Sequence, residues 1–301
     1  MKNKIAVLGG DLRQYAAAAE LDQKNWDVVL WGLELTDSRK GQIKCCETYK
    51  DAVDGAGAVV LPLPSSTDGI FLNCPFSAQQ TKLRLSELVE SIDPDCMLIG
   101  GRLPKETVTL ATLTGLEVRD YFESEEFQIQ NAYITAEAAV SIAMNSLNKN
   151  ISGSRVAITG YGRIAKHLIN LLSPMGAEIT VAARKTSDLA WIICSGCSAL
   201  PIGDTEARRR NIYELSHGYD IIYNTVPHRL FDRDFLRCVD SNTFIIDLAS
   251  VPGGVDIVAA KELGANVLWA TSLPGKYAPV SAGKLIARCV DNILKDEVGG
   301  I

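Results

Sequence analysis

The sequence predicts an α/β protein of two doubly wound, Rossmann-like domains, the second carrying a dinucleotide-binding glycine loop. Three observations carry that expectation. The 301 residues, 47% apolar and 22% charged, suffice for two domains of about 150 residues each. Short aliphatic runs ending near Gly or Pro alternate with helix-length segments, the β-α-β rhythm of a parallel sheet. One such run, 155–159, leads straight into Gly160-Tyr161-Gly162-Arg163-Ile164-Ala165.

In chain order, 5–8, 28–31, 58–61 and 97–99 read as the strands of a first sheet, and 155–159, 178–182, 221–224, 244–248 and 267–270 as those of a second. Between them, 132–147 is rich in Ala, Ile and Met with no Gly or Pro, which favours one long helix. The domain junction is expected there. After Pro279, apolar residues at 285, 286, 289, 290, 293 and 294 recur as on one face of an amphipathic helix, expected to pack back on the first domain. The expected division is therefore a substrate domain, 1–130, completed by 281–301, and a nucleotide-binding domain, 131–280.

Composition excludes several classes of partner. Lys+Arg 30 against Asp+Glu 36 gives a net charge of -6, the wrong sign for a nucleic-acid binder. The basic run Arg208-Arg209-Arg210 follows Glu206 without interleaved aromatics and reads as a solvated face. A strand beginning at Ile5 leaves no room for a signal peptide, and no apolar stretch approaches the ~18 residues of a membrane span. Eight scattered cysteines (45, 46, 74, 96, 194, 197, 238, 289) fit reduced thiols, so a cytoplasmic location is expected. Neither Cys45-Cys46 nor Cys194-Ser195-Gly196-Cys197 has the second pair that zinc usually requires, and no metal is expected.

The glycine loop is the strongest local signal because it joins a strand to a helix. Gly160 permits the tight turn, Gly162 lets the backbone approach a pyrophosphate, and Ala165 lets helix and strand pack closely, while Tyr161, Arg163 and Ile164 supply the rest of the loop and the positive helix end. About twenty residues on, where NAD-preferring sites place an acid on the ribose, the sequence has Ala183-Arg184-Lys185-Thr186-Ser187. Arg184, Lys185 and Ser187 suit a 2′-phosphate, so NADP is preferred over NAD; solvated basic residues at a strand end are the bland alternative. Thr225-Val226-Pro227 and Leu248-Ala249-Ser250 follow strands at the edge where the ligand crevice of such sheets opens.

The first domain also begins strand-then-glycine, but Gly9-Gly10-Asp11 lacks the third spaced glycine, and Asp11 would repel a pyrophosphate. It is not expected to hold a dinucleotide. Asp11, Arg13 and Gln14 either contact a polar substrate across a cleft or are simply a capping Asp beside a surface Arg. Catalytic histidines are scarce: only His167, His217 and His228 occur, and nothing after His228 can serve as the late base of a 2-hydroxyacid dehydrogenase. His228, just after a strand, is the one that can face a cofactor.

Several segments taken together resemble the A subunit of dipicolinate synthase of spore-forming bacteria over essentially the whole chain. They are Gly9-Gly10-Asp11-Leu12-Arg13-Gln14, Asn131-Ala132-Tyr133-Ile134-Thr135-Ala136-Glu137, Gly160-Tyr161-Gly162-Arg163, Ala183-Arg184-Lys185, Asn224-Thr225-Val226-Pro227, residues 247–254, and Leu273-Pro274-Gly275-Lys276. The resemblance implies NADP-linked oxidation of a dihydrodipicolinate-type cyclic dicarboxylate from the lysine pathway, in the mother cell during sporulation, with a flavoprotein-like B subunit. A homo-oligomer is also expected. The alternatives are a dinucleotide-binding scaffold that needs the B subunit for redox chemistry, or a 2-hydroxyacid-dehydrogenase-like enzyme. Within this frame Asn131 and Thr135 are expected to meet substrate, and Glu137 to receive the ring proton. Thr135 is otherwise an N-cap of the junction helix, with Glu137 in its first turn. Arg13, Arg102 and Lys276 are candidates to pair with the substrate carboxylates.

Overall fold

The computed structural model describes residues 2–34, 43–77, 82–203 and 205–299, with side chains throughout except at 207–209 and 297–299. The side chains of Arg208 and Arg209 thus lie outside the described residues. Two compact units emerge, Met1–Asn131 with Pro274–Ile301, and Ala132–Leu273.

The first unit holds a parallel sheet of β1 (Lys4–Leu8), β2 (Asp27–Trp31), β3 (Lys44–Cys45), β4 (Ala58–Val60), β5 (Met97–Gly100) and β6 (Glu117–Asp120), in the order β3-β2-β1-β4-β5-β6. One face, with Ala6, Leu8, Val29, Val59, Leu61 and Leu98, packs on α2 (Tyr49–Val53), α3 (Leu85–Glu90) and α4 (Lys105–Leu113). The C-terminal helix α12 (Pro279–Gly299) lies along α1 (Leu12–Gln23), so closely that a Cβ on Gly283 would collide with the Arg13 carbonyl. Asp291, buried on α12, accepts hydrogen bonds from Lys24 Nζ (2.7 Å), Trp26 Nε1 (3.0 Å) and Lys295 Nζ (2.9 Å). Burial alone would raise its pKa; these donors outweigh it and hold the carboxyl below the ordinary value.

The second unit repeats the plan with β7 (Arg155–Thr159), β8 (Glu178–Ala183), β9 (Ser198–Pro201), β10 (Ile221–Asn224), β11 (Phe244–Asp247) and β12 (Val267–Trp269), in the order β12-β11-β10-β7-β8-β9. Strand residues alternate between two cores. Val156, Ile158, Tyr223 and Ile246 face α6 (Arg163–Leu172) and residues 136–143 of α5 (Glu125–Ser146); Ala157, Ile222 and Ile245 face Phe235 of α9 (Arg233–Cys238) and Ala259 of α10 (Ile257–Leu263). Burial on both faces is why these strands read as continuous aliphatic runs. Along α6 the buried positions 165, 168, 169 and 172 form a single stripe at helical spacing. The remaining helices are α7 (Thr186–Cys194), α8 (Glu206–Asn211) and α11 (Leu273–Tyr277).

Two local expectations are corrected. The long helix begins at Glu125, so Thr135 is an interior residue with a buried side chain and cannot be its N-cap, and Glu137 lies beyond its first turn. Residues 125–131 contain neither Gly nor Pro, and nothing stops the helix from extending back through them. Leu273-Pro274-Gly275 forms the start of α11; Pro274 occupies the first helical turn, where its missing N–H is no loss. Arg13 is not a surface cation: it is 9% exposed and bonded to its own helix cap.

Candidate functional site

The second unit carries the site. β7 runs into Gly160, whose φ of +88° is open to glycine at little cost and whose N–H donates to the Ala182 carbonyl at 2.8 Å. A Cβ here would stand 2.6 Å from Thr225 Oγ1, so the loop after β10 closes down on this turn. Gly162 is the N-cap of α6, and no side chain caps that end. A Cβ on Gly162 would meet nothing within 4 Å, so the space in front of the first amides of α6 is open. The first N–H groups of a helix and its positive end suit an anion.

A cavity of about 930 Å³ lies over this turn, at the upper end of the ~300–1,000 Å³ of small-molecule and cofactor sites. It brings together Gly160, Tyr161, Gly162, Arg184, Lys185, Thr225, Val226, Pro227 and His228. The other candidates of this unit do not line it. Arg163 and Ile164 begin α6, Ser187 is exposed in the first turn of α7, and Leu248 and Ala249 are buried after β11, with Ser250 exposed beyond them. Thr135 and Glu137 lie on α5, buried and exposed respectively, and also stand apart from the cavity.

Several lining residues escape the sequence reading. Asp188, in the first turn of α7, puts a carboxylate among the residues that also include Arg184 and Lys185. Ile202 and Gly203 follow β9, a short strand ending in proline that no aliphatic run announces. Tyr213 and Asp232 also line the cavity; burial and the neighbouring Asp232 and Asp234 push the Tyr213 phenol up, keeping it a neutral donor to Asp232. A helix cap could have marked Asp232, whose carboxylate accepts from Phe235 N–H at 2.9 Å.

In the first unit the corresponding turn is already filled. Asp11 is the N-cap of α1 and accepts from the Arg13 N–H at 2.9 Å. The Arg13 guanidinium returns to the same carboxylate, Nε to Oδ1 at 2.9 Å and Nη2 to Oδ2 at 2.8 Å, and Nη2 also donates to the Leu63 carbonyl at 2.7 Å. Gln14 is buried, its Nε2 donating to the Val60 carbonyl. Arg102, left-handed at φ +53°, lays an exposed guanidinium over the Phe122 ring, 4.9 Å from its centroid. Lys276 is exposed on α11, and Asn131 is half-buried on α5.

Two parallel six-stranded sheets of identical order, one with an open glycine turn at a helix N-terminus, define a protein of two Rossmann-like α/β domains. The fold is shared, at 16% identity and a TM-score of 0.68 over 98% of this chain and 93% of the other, with a transhydrogenase from Sinorhizobium meliloti. Within that class the resemblance to the dipicolinate synthase A subunit is borne out. Residues 4–122 match the family model for the N-terminal domain of the dipicolinate synthase A subunit. The chain is 28% identical to the dipicolinate synthase A subunit of Bacillus subtilis (strain 168) over 296 residues, covering 97% of this chain and 96% of that protein. Crystal structures of the corresponding polypeptides from Bacillus subtilis (26% identity, TM-score 0.84, 100% of this chain and 98% of that one) and from Bacillus halodurans (25%, 0.83, 97% of each) match it throughout. Among the described residues, no helix is long and apolar enough to cross a membrane.

Proposed function

We propose that the chain is the NADP-binding A subunit of a dipicolinate synthase, an oxidoreductase that converts a dihydrodipicolinate-type cyclic dicarboxylate to the aromatic pyridine-2,6-dicarboxylate. The observation that carries the reading is the open turn at Gly162, facing a cavity with Arg184 and Lys185 on its rim. A nicotinamide dinucleotide held there supplies a hydride acceptor. Residues 160–164 would hold its pyrophosphate through backbone amides, and Arg184 and Lys185 its 2′-phosphate, with Ser187 beside them. Aromatisation takes one hydride and one proton from the ring, so this chain's own task is to bind, orient and accept a single proton. His228, exposed at the cavity, is the histidine that lines it and the first candidate base, and Glu137 on α5 is the second.

Substrate recognition falls to the first unit. Arg13 spends Nε and Nη2 on Asp11 and Leu63, which leaves Arg102 and Lys276 as the cations better able to take a carboxylate. The partner is a B subunit, and the setting the cytoplasm of a sporulating mother cell, both implied by the family resemblance. Mixing the purified chain with precursor and NADP, while following nicotinamide absorbance, tests the reading. Reduced cofactor formed by the chain alone supports it. Reduction only after a B subunit is added favours instead a dinucleotide-binding scaffold, a reading to which the separation of Thr135 and Glu137 from the cavity lends weight.

A further inference from the structure

The ends of the three central strands differ in kind between the two sheets. In the second unit, β7, β10 and β11 end in Thr159, Asn224 and Asp247, paired in register and all fully buried. At the same register the first unit has Leu8, Leu61 and Gly100: Val7 pairs with Val60 and Val60 with Ile99, and these are the next residues along. The fold itself therefore requires no polar group at these places. Burying an amide and a carboxylate there is unfavourable unless every hydrogen bond is made.

Every one is made. Thr159 Oγ1 donates to Asn224 Oδ1 at 2.5 Å, and Asn224 Nδ2 donates to Asp247 Oδ1 at 2.7 Å. Asp247 Oδ1 also accepts from Ala249 N–H at 3.1 Å, and Oδ2 from Gly254 N–H at 2.8 Å and Val255 N–H at 3.3 Å. All its donors are uncharged. Asn224 meanwhile grips both sides of Val226, accepting from its N–H at 3.1 Å and donating to its carbonyl at 3.0 Å. Thr225, in that same loop, is the residue that presses on Gly160.

We infer that Thr159, Asn224 and Asp247 are positioning residues: a buried relay that fixes the loop 225–227 over the glycine turn and the loop 248–255 beside it, and so sets the shape of the nucleotide cavity. None of the three lines the cavity. The inference rests on the proposed dinucleotide site. Close tethering of both loops is what pre-organises a site before its ligand arrives, and a loose loop costs affinity on binding.

The test compares NADP affinity by calorimetry with the melting temperature of the ligand-free protein, for the wild type, Thr159→Val, Thr159→Ser and Asn224→Leu. Thr159→Val keeps shape and removes one hydroxyl; Asn224→Leu installs the first unit's residue. Thr159→Val is expected to weaken NADP at least tenfold while the melting temperature stays within a few degrees of wild type; Asn224→Leu, which also strips the buried Asp247 of a donor, is expected to weaken NADP at least as much and to lower the melting temperature. Thr159→Ser, which restores the hydroxyl, is expected to bind as wild type does, which ties the loss to the hydroxyl; a purely structural role would instead lower the melting temperature of Thr159→Val in step with its affinity. A folded Thr159→Val that binds NADP as tightly as wild type overturns the inference, and this variant decides if Asn224→Leu does not fold. A wild type that binds neither NADP nor NAD defeats the cofactor reading itself, a separate outcome.

Discussion

The two glycine turns of this molecule begin alike and end differently. In each, the first glycine donates its N–H to the end of the neighbouring strand at 2.8 Å, Gly9 to Trp31 and Gly160 to Ala182. Two residues on, the helix N-cap is Asp11 in one unit and Gly162 in the other. Asp11 brings its own carboxylate to the helix end and Arg13 neutralises it. The chain also folds over this turn: Gly10 N–H donates to the Asn73 carbonyl at 2.8 Å, and a Cβ on Gly9 would meet Cys74 Sγ at 2.7 Å. A Cβ on Gly162, by contrast, would meet nothing. One Rossmann plan thus yields a self-satisfied turn and an open one, and the difference is chiefly one side chain at the cap and one covering segment.

The sharpest way to break the comparison is to move the cap. Gly162→Asp gives the second unit the first unit's residue at a position with free space, so the fold should stand while NADP affinity falls about 100-fold, or about 2.7 kcal/mol, through charge repulsion at the helix end. Calorimetry on the folded variant checks it. The reverse change, Asp11→Gly, should create no nucleotide site, because Asn73 and Cys74 still cover the turn. It should destabilise the protein by about 2 kcal/mol, mostly because Arg13 loses its buried partner, glycine being an acceptable cap. Urea unfolding measures that loss.

A smaller effect is expected at the rim. Arg184→Ala with Lys185→Ala should weaken NADP about tenfold more than NAD, since only the former carries a 2′-phosphate. Equal weakening of both would remove the phosphate assignment, and Asp188 nearby would then mark a ribose partner. Smallest is a pH effect confined to the first unit. The folded pKa of Asp291 is depressed, so its contribution is present above the ordinary carboxylate pKa and is lost as pH falls through the lower folded value. Proteolysis of the C-terminal helix between pH 6 and pH 3 should accelerate towards acid in the wild type, and Asp291→Asn should already be cleaved faster at pH 6.

Central strands were legible because burial on both faces makes them aliphatic throughout. The edge strands β3, β6 and β9 were not: Lys44-Cys45 is short and exposed, and Glu117-Val118-Arg119-Asp120 is charged, as edge positions facing water tend to be. Missing β9 hid Ile202 and Gly203 as cavity residues. The glycine loop, Arg184, Lys185 and 225–228 could be named from sequence because each follows a readable strand. The Asn224–Asp247 pair could not, since its partners come together only through sheet register. Its one trace in the sequence was a polar residue closing each of three apolar runs. Thr135 misled because a threonine two residues before a glutamate imitates a helix start, and only the preceding turns show otherwise.

The central claim, that the second unit alone offers an open nucleotide site, is tested most directly by the stoichiometry of NADP binding to wild type and to Gly162→Asp. One site per chain, lost in Gly162→Asp, is the predicted result. Two sites per chain, or one that survives the substitution with its affinity intact, would contradict it.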